Sequence, residues 1–206
     1  MWRESCEGWL GCHSSGYGRT STINGMTIAL DAGAALLVID VQAAFDDESY
    51  WGKRNNPEAE ANIAALAAAW SAAGRPVVRV RHASTNPASP LRPEHPGHAY
   101  KAVVAGLSPA LEVVKSVHSA FHGTPDLGAW LTANGVRQVV VTGVQTNRCC
   151  ETTARLAGDL GYDVLFALDA TYTFTEGDVT ADQFAAVTAA NIEGNFGRVV
   201  SAADLL

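Results

Sequence analysis

The run Val139–Ala170, VVVTGVQTNRCCETTARLAGDLGYDVLFALDA, constrains the fold of this chain more than any other segment. It reads as a buried strand, a tight turn, a pair of cysteines opening a helix, and a second buried strand. Two continuous apolar strands joined through a helix pair in parallel, and a parallel sheet needs cover on both faces. The same run carries reactive chemistry. A cysteine at a helix N-terminus meets the positive end of the macrodipole and backbone N–H groups without helical partners, which favours thiolate over thiol. Those N–H groups can also receive the oxyanion that forms when sulfur attacks a carbonyl. At this level Cys149 and Cys150 are equal candidates for a nucleophile.

The alternation of strand and helix extends from residue 34 to the C-terminus. Strands are expected over Ala35–Val41 (ALLVIDV), Pro76–His82 (PVVRVRH), Glu112–His118 (EVVKSVH), Arg137–Thr146, Asp163–Ala170 and Arg198–Ser201. Asn56-Pro57 reads as the cap and first position of a helix that presents Ile63, Leu66 and Trp70 on one face and stops at Gly74. Thr124-Pro125-Asp126 caps a helix ending at Gly135, Cys149–Leu160 forms one stopped by Gly161, and Phe184, Val187 and Ile192 face one side of the last. The expected fold is α/β: a three-layer, Rossmann-like arrangement with a mostly parallel six-stranded sheet flanked by helices on both faces. Between the second and third strands, Ala83–Leu111 carries five of the eight prolines and no period, as expected of a lid or an interface arm.

With 206 residues, 48% hydrophobic and 17% charged, the chain has the length and balance of one ordinary α/β domain, placed at residues 26–206. A net charge of −7 without a basic cluster argues against nucleic acid or an anionic membrane as partner, and no apolar run approaches a membrane span. Residues 1–25, rich in Gly and Ser and without a period, read as a disordered extension ahead of Met26, or as a start codon placed too early. Cys6, Cys12 and His13 within it do not complete a metal shell. Cysteine usage without any C-x-x-C pair points to a reducing cytoplasm.

In doubly wound sheets ligands bind beyond the C-terminal ends of the strands. Asp40, Lys115 and Cys149 sit at or near such ends. Each alone has a plainer reading. An aspartate after a strand caps a turn, a lysine snorkels from an edge strand, and a core cysteine packs as a small inert hydrophobe, the role expected of Cys150. Together they describe nucleophilic hydrolysis. Cys149 attacks a carbonyl carbon, Asp40 takes the thiol proton and hands it to the leaving amine, and Lys115 holds both charges. Backbone N–H groups around Gln145 and Cys149 would hold the oxyanion, a contribution of about 3–4 kcal/mol per donor. No G-x-S-x-G elbow, Walker loop or H-E-x-x-H occurs.

The segments VIDVQAAF, KSVHSAF and GVQTNRCCETTARLAGDLGYDV resemble those of the isochorismatase-like cysteine hydrolases, which include nicotinamidases, N-carbamoylsarcosine amidases and streptothricin hydrolases. The resemblance runs from about Ala35 to the C-terminus. It implies Cys149 as nucleophile, with Cys150 standing where valine is usual, Asp40 as general acid/base and Lys115 as electrostatic partner. It also implies a cis peptide at Val144–Gln145 that aims the Gln145 N–H into the oxyanion hole, and assembly as a homodimer or homotetramer. Isochorismatases proper lack the cysteine, so cleavage of an amide, carbamoyl or lactam C–N bond in a small molecule is implied here. Nicotinamidases carry an Asp-x-His…His metal site after the second strand. The stretch VRVRHASTNPASP offers His82 without an aspartate two positions earlier, and His95 and His98 lack a carboxylate partner. No metal and no cofactor are expected, and nicotinamide is disfavoured as substrate. The competing readings are an isochorismatase-type or diverged member without amidase activity, and a thiol redox protein using Cys149 and Cys150. Phe45, Phe121, Tyr172 and Phe174 follow their strands on the expected side and are candidate pocket walls, core packing being the equal alternative. His118, near Lys115, is a candidate to tune the site or touch substrate.

Overall fold

The computed structural model describes residues 17–23 and 26–206. Six strands, β3 (Ala35–Ile39), β4 (Val77–His82), β5 (Leu111–Lys115), β6 (Gln138–Val144), β7 (Asp163–Tyr172) and β8 (Arg198–Val200), form one sheet in the order β5-β4-β3-β6-β7-β8. Every pairing in it is parallel. The order reverses between β3 and β6, where chain going one way around the sheet meets chain going the other, and this leaves a crevice beyond their C-terminal ends. Two strands precede the sheet: β1 (Tyr17–Ile23) and β2 (Met26–Asp31) pair antiparallel. The part of the expected extension from Tyr17 to Ile23 is therefore strand, whereas Cys6, Cys12 and His13 lie outside the described residues. Gln138 ties this hairpin to the sheet, its Oε1 accepting the Asp31 N–H and its amide N–H reaching the Ala29 carbonyl.

Alternation along the central strands sorts the core into two layers. Leu36 and Val38 face α2 (Ala59–Ala72), meeting Ile63, Leu66 and Trp70. Ala35, Leu37 and Ile39 face the opposite side, with Leu127 and Leu131 of α4 (Leu127–Ala133), Ala154 and Ala157 of α5 (Glu151–Asp159) and Ile192 of α6 (Ala181–Ile192). Two single turns, α1 (Glu48–Trp51) and α3 (Ala102–Ala105), lie in the connections after β3 and β4. Helix α2 starts two residues later than Pro57 would place it. Asn56 takes a positive φ of 46° and spends its amide on the Asp169 and Thr171 carbonyls, so it stitches a loop to β7 and caps nothing. In α6 the buried face is Ala181, Thr188 and Ile192; Val187 is exposed, because Thr188 turns inward to donate to Glu151 on α5. Strand β7 continues to Tyr172, past the expected end at Ala170.

The crevice depends on a close approach of β3 and β6. Ile39 pairs with Gly143, which holds φ at +122°; a Cβ there would lie 2.0 Å from the Ile39 carbonyl oxygen. Both the backbone conformation and the space demand glycine. Gly143→Ala should therefore cost about 3 kcal/mol or more through strain and overpacking. Urea unfolding of the purified variant would measure the loss, or show wild-type stability and refute it.

Candidate active site

Four side chains converge from four neighbouring strand ends. Asp40 follows β3, His82 ends β4, Lys115 ends β5, and Cys149 follows β6 through a short connection. The β4–β5 register sets His82 directly beside Lys115. Asp40 adopts a positive φ of 52° while its N–H bonds the Val80 carbonyl, which turns its side chain out of the strand at the crevice. Strand alternation places Lys115 on the same side as Val113, inside, with Val114 outward, so the lysine is buried rather than snorkelling from an edge.

Cys149 lies within a π turn, Thr146–Cys150, that opens the helical segment before α5. The sequence places the start of the helix at Cys149; the chain coils from Thr146 instead. The Gln145 carbonyl accepts from Arg148 N–H at 3.2 Å and Cys150 N–H at 3.1 Å, passing over the Cys149 N–H. Such wide turns recur where a helix must present a group to a site. The Val144–Gln145 peptide preceding the turn is cis. The residues after the cysteines anchor the helix. Glu151 accepts from Thr188, Asn191 and Arg155, and the Thr153 hydroxyl accepts the Ala120 N–H from the segment carrying His118. Cys150 is fully buried among apolar residues on the core side.

The Lys115 Nζ stands at the centre of the group. It lies 2.5 Å from Asp40 Oδ2, 3.2 Å from His82 Nδ1 and 3.3 Å from Cys149 Sγ. Burial drives a lysine toward neutrality, but the Asp40 charge and then the Cys149 sulfur outweigh it, so the ammonium is held above its ordinary range. Burial pushes the Cys149 thiol up to about 12; the Asp40 charge adds to this and Lys115 offsets it only in part. Burial and Asp40 thus oppose the thiolate that the helix N-terminus alone would favour, while Lys115 supports it. Asp40 Oδ1 is buried without a hydrogen-bond partner. Burial, then the Lys115 charge, push His82 down to about 4, and His118, whose Nδ1 is 3.6 Å from Sγ, is lowered by burial and by Lys115. Asp40, His82 and Cys149 bring ligand-type atoms within 4.8 Å of one another, the pattern of a metal triad. The Lys115 ammonium already contacts all three, so a cation is built into that position.

A cavity of about 460 Å³ opens over these groups. Phe45, His118 and Gln145 line it, as does Arg148. Phe121, Tyr172 and Phe174 lie outside its lining. Phe121 packs on Tyr162, while Tyr172 and Phe174 are fully buried behind Phe45, with the Arg54 guanidinium 3.5 Å from the Tyr172 ring. Sequence reasoning missed Trp51 and Leu91 as apolar walls and Ser84, Asn86 and Ser89 as polar ones. The last four come from the proline-bearing stretch after β4, which supplies part of the wall. Gln42 was missed as well, although a buried glutamine two residues after Asp40 is a recognisable signal of a polar anchor.

The sequence profile of the Isochorismatase domain matches residues 34–204. The chain is 39% identical over 158 residues to the isochorismatase family protein YrdC of Bacillus subtilis, covering 77% of this chain and 83% of that protein. It is 34% identical over 143 residues to streptothricin hydrolase of Streptomyces noursei, covering 68% of this chain and 50% of the relative. The solved structure of an isochorismatase-family protein from Chromobacterium violaceum superposes with a TM-score of 0.80 at 42% identity, covering 85% of this chain and 92% of the other.

Because the folded state holds His82 near 4 against 6.5 for an unperturbed histidine, the unfolded chain binds that proton more tightly. The stability involved is complete above 6.5 and is lost as pH falls toward about 4. The melting temperature should decline across that interval, and His82→Asn should flatten the decline; an equally steep fall in the variant would remove His82 as its cause.

Proposed function

The chain belongs to the isochorismatase family, and on that premise we propose that it is a cysteine hydrolase cleaving a C–N bond of a small molecule through an acyl-thioester on Cys149. One observation carries this reading: a buried ammonium bonded to both a carboxylate and a thiol, with Asp40 and Cys149 lining one cavity. Arrangements with no chemical task rarely bury such a set.

In the proposed reaction the Cys149 sulfur attacks the carbonyl carbon as its proton passes to Asp40. Concerted transfer suits a thiol pushed up to about 12. The C=O electrons move onto oxygen, and the N–H groups of Gln145 and Cys149 are the proposed oxyanion donors. Collapse of this intermediate breaks the C–N bond, and Asp40 returns the proton to the leaving nitrogen. Water then attacks the thioester carbonyl, giving its proton to Asp40. The C–S bond breaks, the acid is released, and Asp40 re-protonates the sulfur. Lys115 remains charged throughout and offsets negative charge as it moves between sulfur and carboxylate.

The cavity suits a small substrate with an apolar portion against Phe45, Trp51 and Leu91 and polar groups toward Ser84, Asn86 and His118. A relative named streptothricin hydrolase supports amide-type chemistry over vinyl-ether cleavage. The full reading is a cytoplasmic homodimer or homotetramer that uses neither metal nor cofactor and has no nucleic-acid or membrane partner. No helix among the described residues is long and apolar enough to cross a membrane.

Screening amides, carbamoyl compounds and lactams should reveal turnover, with a covalent adduct on Cys149 captured by mass spectrometry after an acid quench. Cys149→Ala should lower kcat/KM by about 10⁴-fold or more, and Asp40→Asn by at least about 10²-fold. Cys150→Ala should retain activity within about three-fold, because that sulfur only packs. Essential Cys150, or peroxide-dependent turnover without hydrolysis, would favour the redox alternative.

A further inference from the structure

An ammonium has three N–H donors and no acceptor, and the Lys115 side chain has no exposed surface on which to solvate them. Asp40 Oδ2 and Cys149 Sγ are acceptors for two. His82 Nδ1, at 3.2 Å, is the third. Since Nζ only donates, Nδ1 must present a lone pair, which puts the ring proton on Nε2.

The rest of the molecule holds His82 in that role. Its Cα is the cross-strand partner of Lys115. Gln42, fully buried, grips the His82 backbone from both sides, accepting its N–H at 2.8 Å and donating to its carbonyl at 3.1 Å. The same amide donates to the His98 carbonyl at 3.0 Å, tying the loop wall to this point. Charged and titratable groups facing the ring are Lys115, His118 and His98, which oppose a second proton, and Asp40, which favours one. The balance is a neutral ring.

We propose that His82 is a positioning residue of the hydrolase site: its Nδ1 lone pair takes the third Lys115 N–H and holds the ammonium against Asp40 and Cys149. Without that acceptor, one buried N–H of a charged group is left unbonded, and the lysine drops toward neutrality or moves to find water. Either change weakens its hold on negative charge at sulfur. The inference rests on Cys149 as nucleophile, but its test does not need the substrate.

Long-range proton–nitrogen NMR of the ¹⁵N-labelled protein near pH 7.5 should show His82 as the Nε2–H tautomer, with the Nδ1 resonance moving toward that of a free acceptor in Lys115→Met. Alkylation of Cys149 by iodoacetamide at pH 8, followed by mass spectrometry, should slow about five-fold in His82→Leu. His82→Asn, whose Oδ1 can stand in for Nδ1, should remain within about two-fold of the wild type. An Nδ1–H tautomer, an Nδ1 signal blind to Lys115→Met, or equal slowing in the two variants would overturn the proposal. Failure of every amide, carbamoyl and lactam substrate would sink the hydrolase reading while leaving the tautomer result intact.

Discussion

The buried Lys115 ammonium is the interaction on which the rest of this site depends. A charge in that position is tolerable only with close opposite charge and full hydrogen bonding. Three strand ends meet those needs at once, with carboxylate, imidazole and thiol as the acceptors. The same three side chains would make a credible metal triad if the lysine were absent. A tethered cation differs from a bound one: it cannot be lost to a chelator, and its position is set by the pairing of β5 with β4 rather than by solution chemistry.

Backbone geometry then decides what the ammonium can do. Asp40 turns inward through a positive φ, Gly143 lets β6 approach the end of β3, and the π turn carries Cys149 back over the crevice. These irregularities cluster at the one place where the order of a parallel sheet reverses and leaves room for a ligand. Behind them the structure is regular. Glu151, buried against α6, and Thr153, bonded to the segment after β5, fix the helix after the cysteines to its neighbours. The motif around the cysteines thus sets Cys149 at the cavity and surrounds it with residues that hold its helix still.

Much of this was legible in the sequence because parallel strands are apolar on both faces and end abruptly in polar residues. The runs containing Asp40 and Cys149 could be placed near strand ends from that pattern, whereas the strand carrying Lys115 was expected to continue to His118 and instead ends at the lysine. Helix faces were harder: Phe184, Val187 and Ile192 suggest one stripe, yet Thr188 turns inward because Glu151 offers it a buried partner. The aromatic walls show the same limit. Phe45 and Phe174 both follow strands and stack at 6.0 Å, but only Phe45 reaches the cavity. Which of two packed rings faces solvent depends on loops that have no period. Asn56 misled for a related reason, since its bonds run to β7, far along the chain.

Electrostatics resolves the difference between the two adjacent cysteines. Both are buried and both are raised by desolvation, so burial alone does not choose between them. Cys149 faces Lys115 and the cavity, whereas Cys150 packs among the apolar side chains on the core side of the sheet. For Cys149 the cost of negative charge is offset by an ammonium at 3.3 Å, and the proton has a carboxylate to receive it. The sulfur therefore need not be ionised at rest. A thiol that ionises only as it attacks also resists adventitious oxidation and alkylation, since thiolate is the reactive form. In the proposed reaction, Lys115 and Asp40 would then set when the proton leaves.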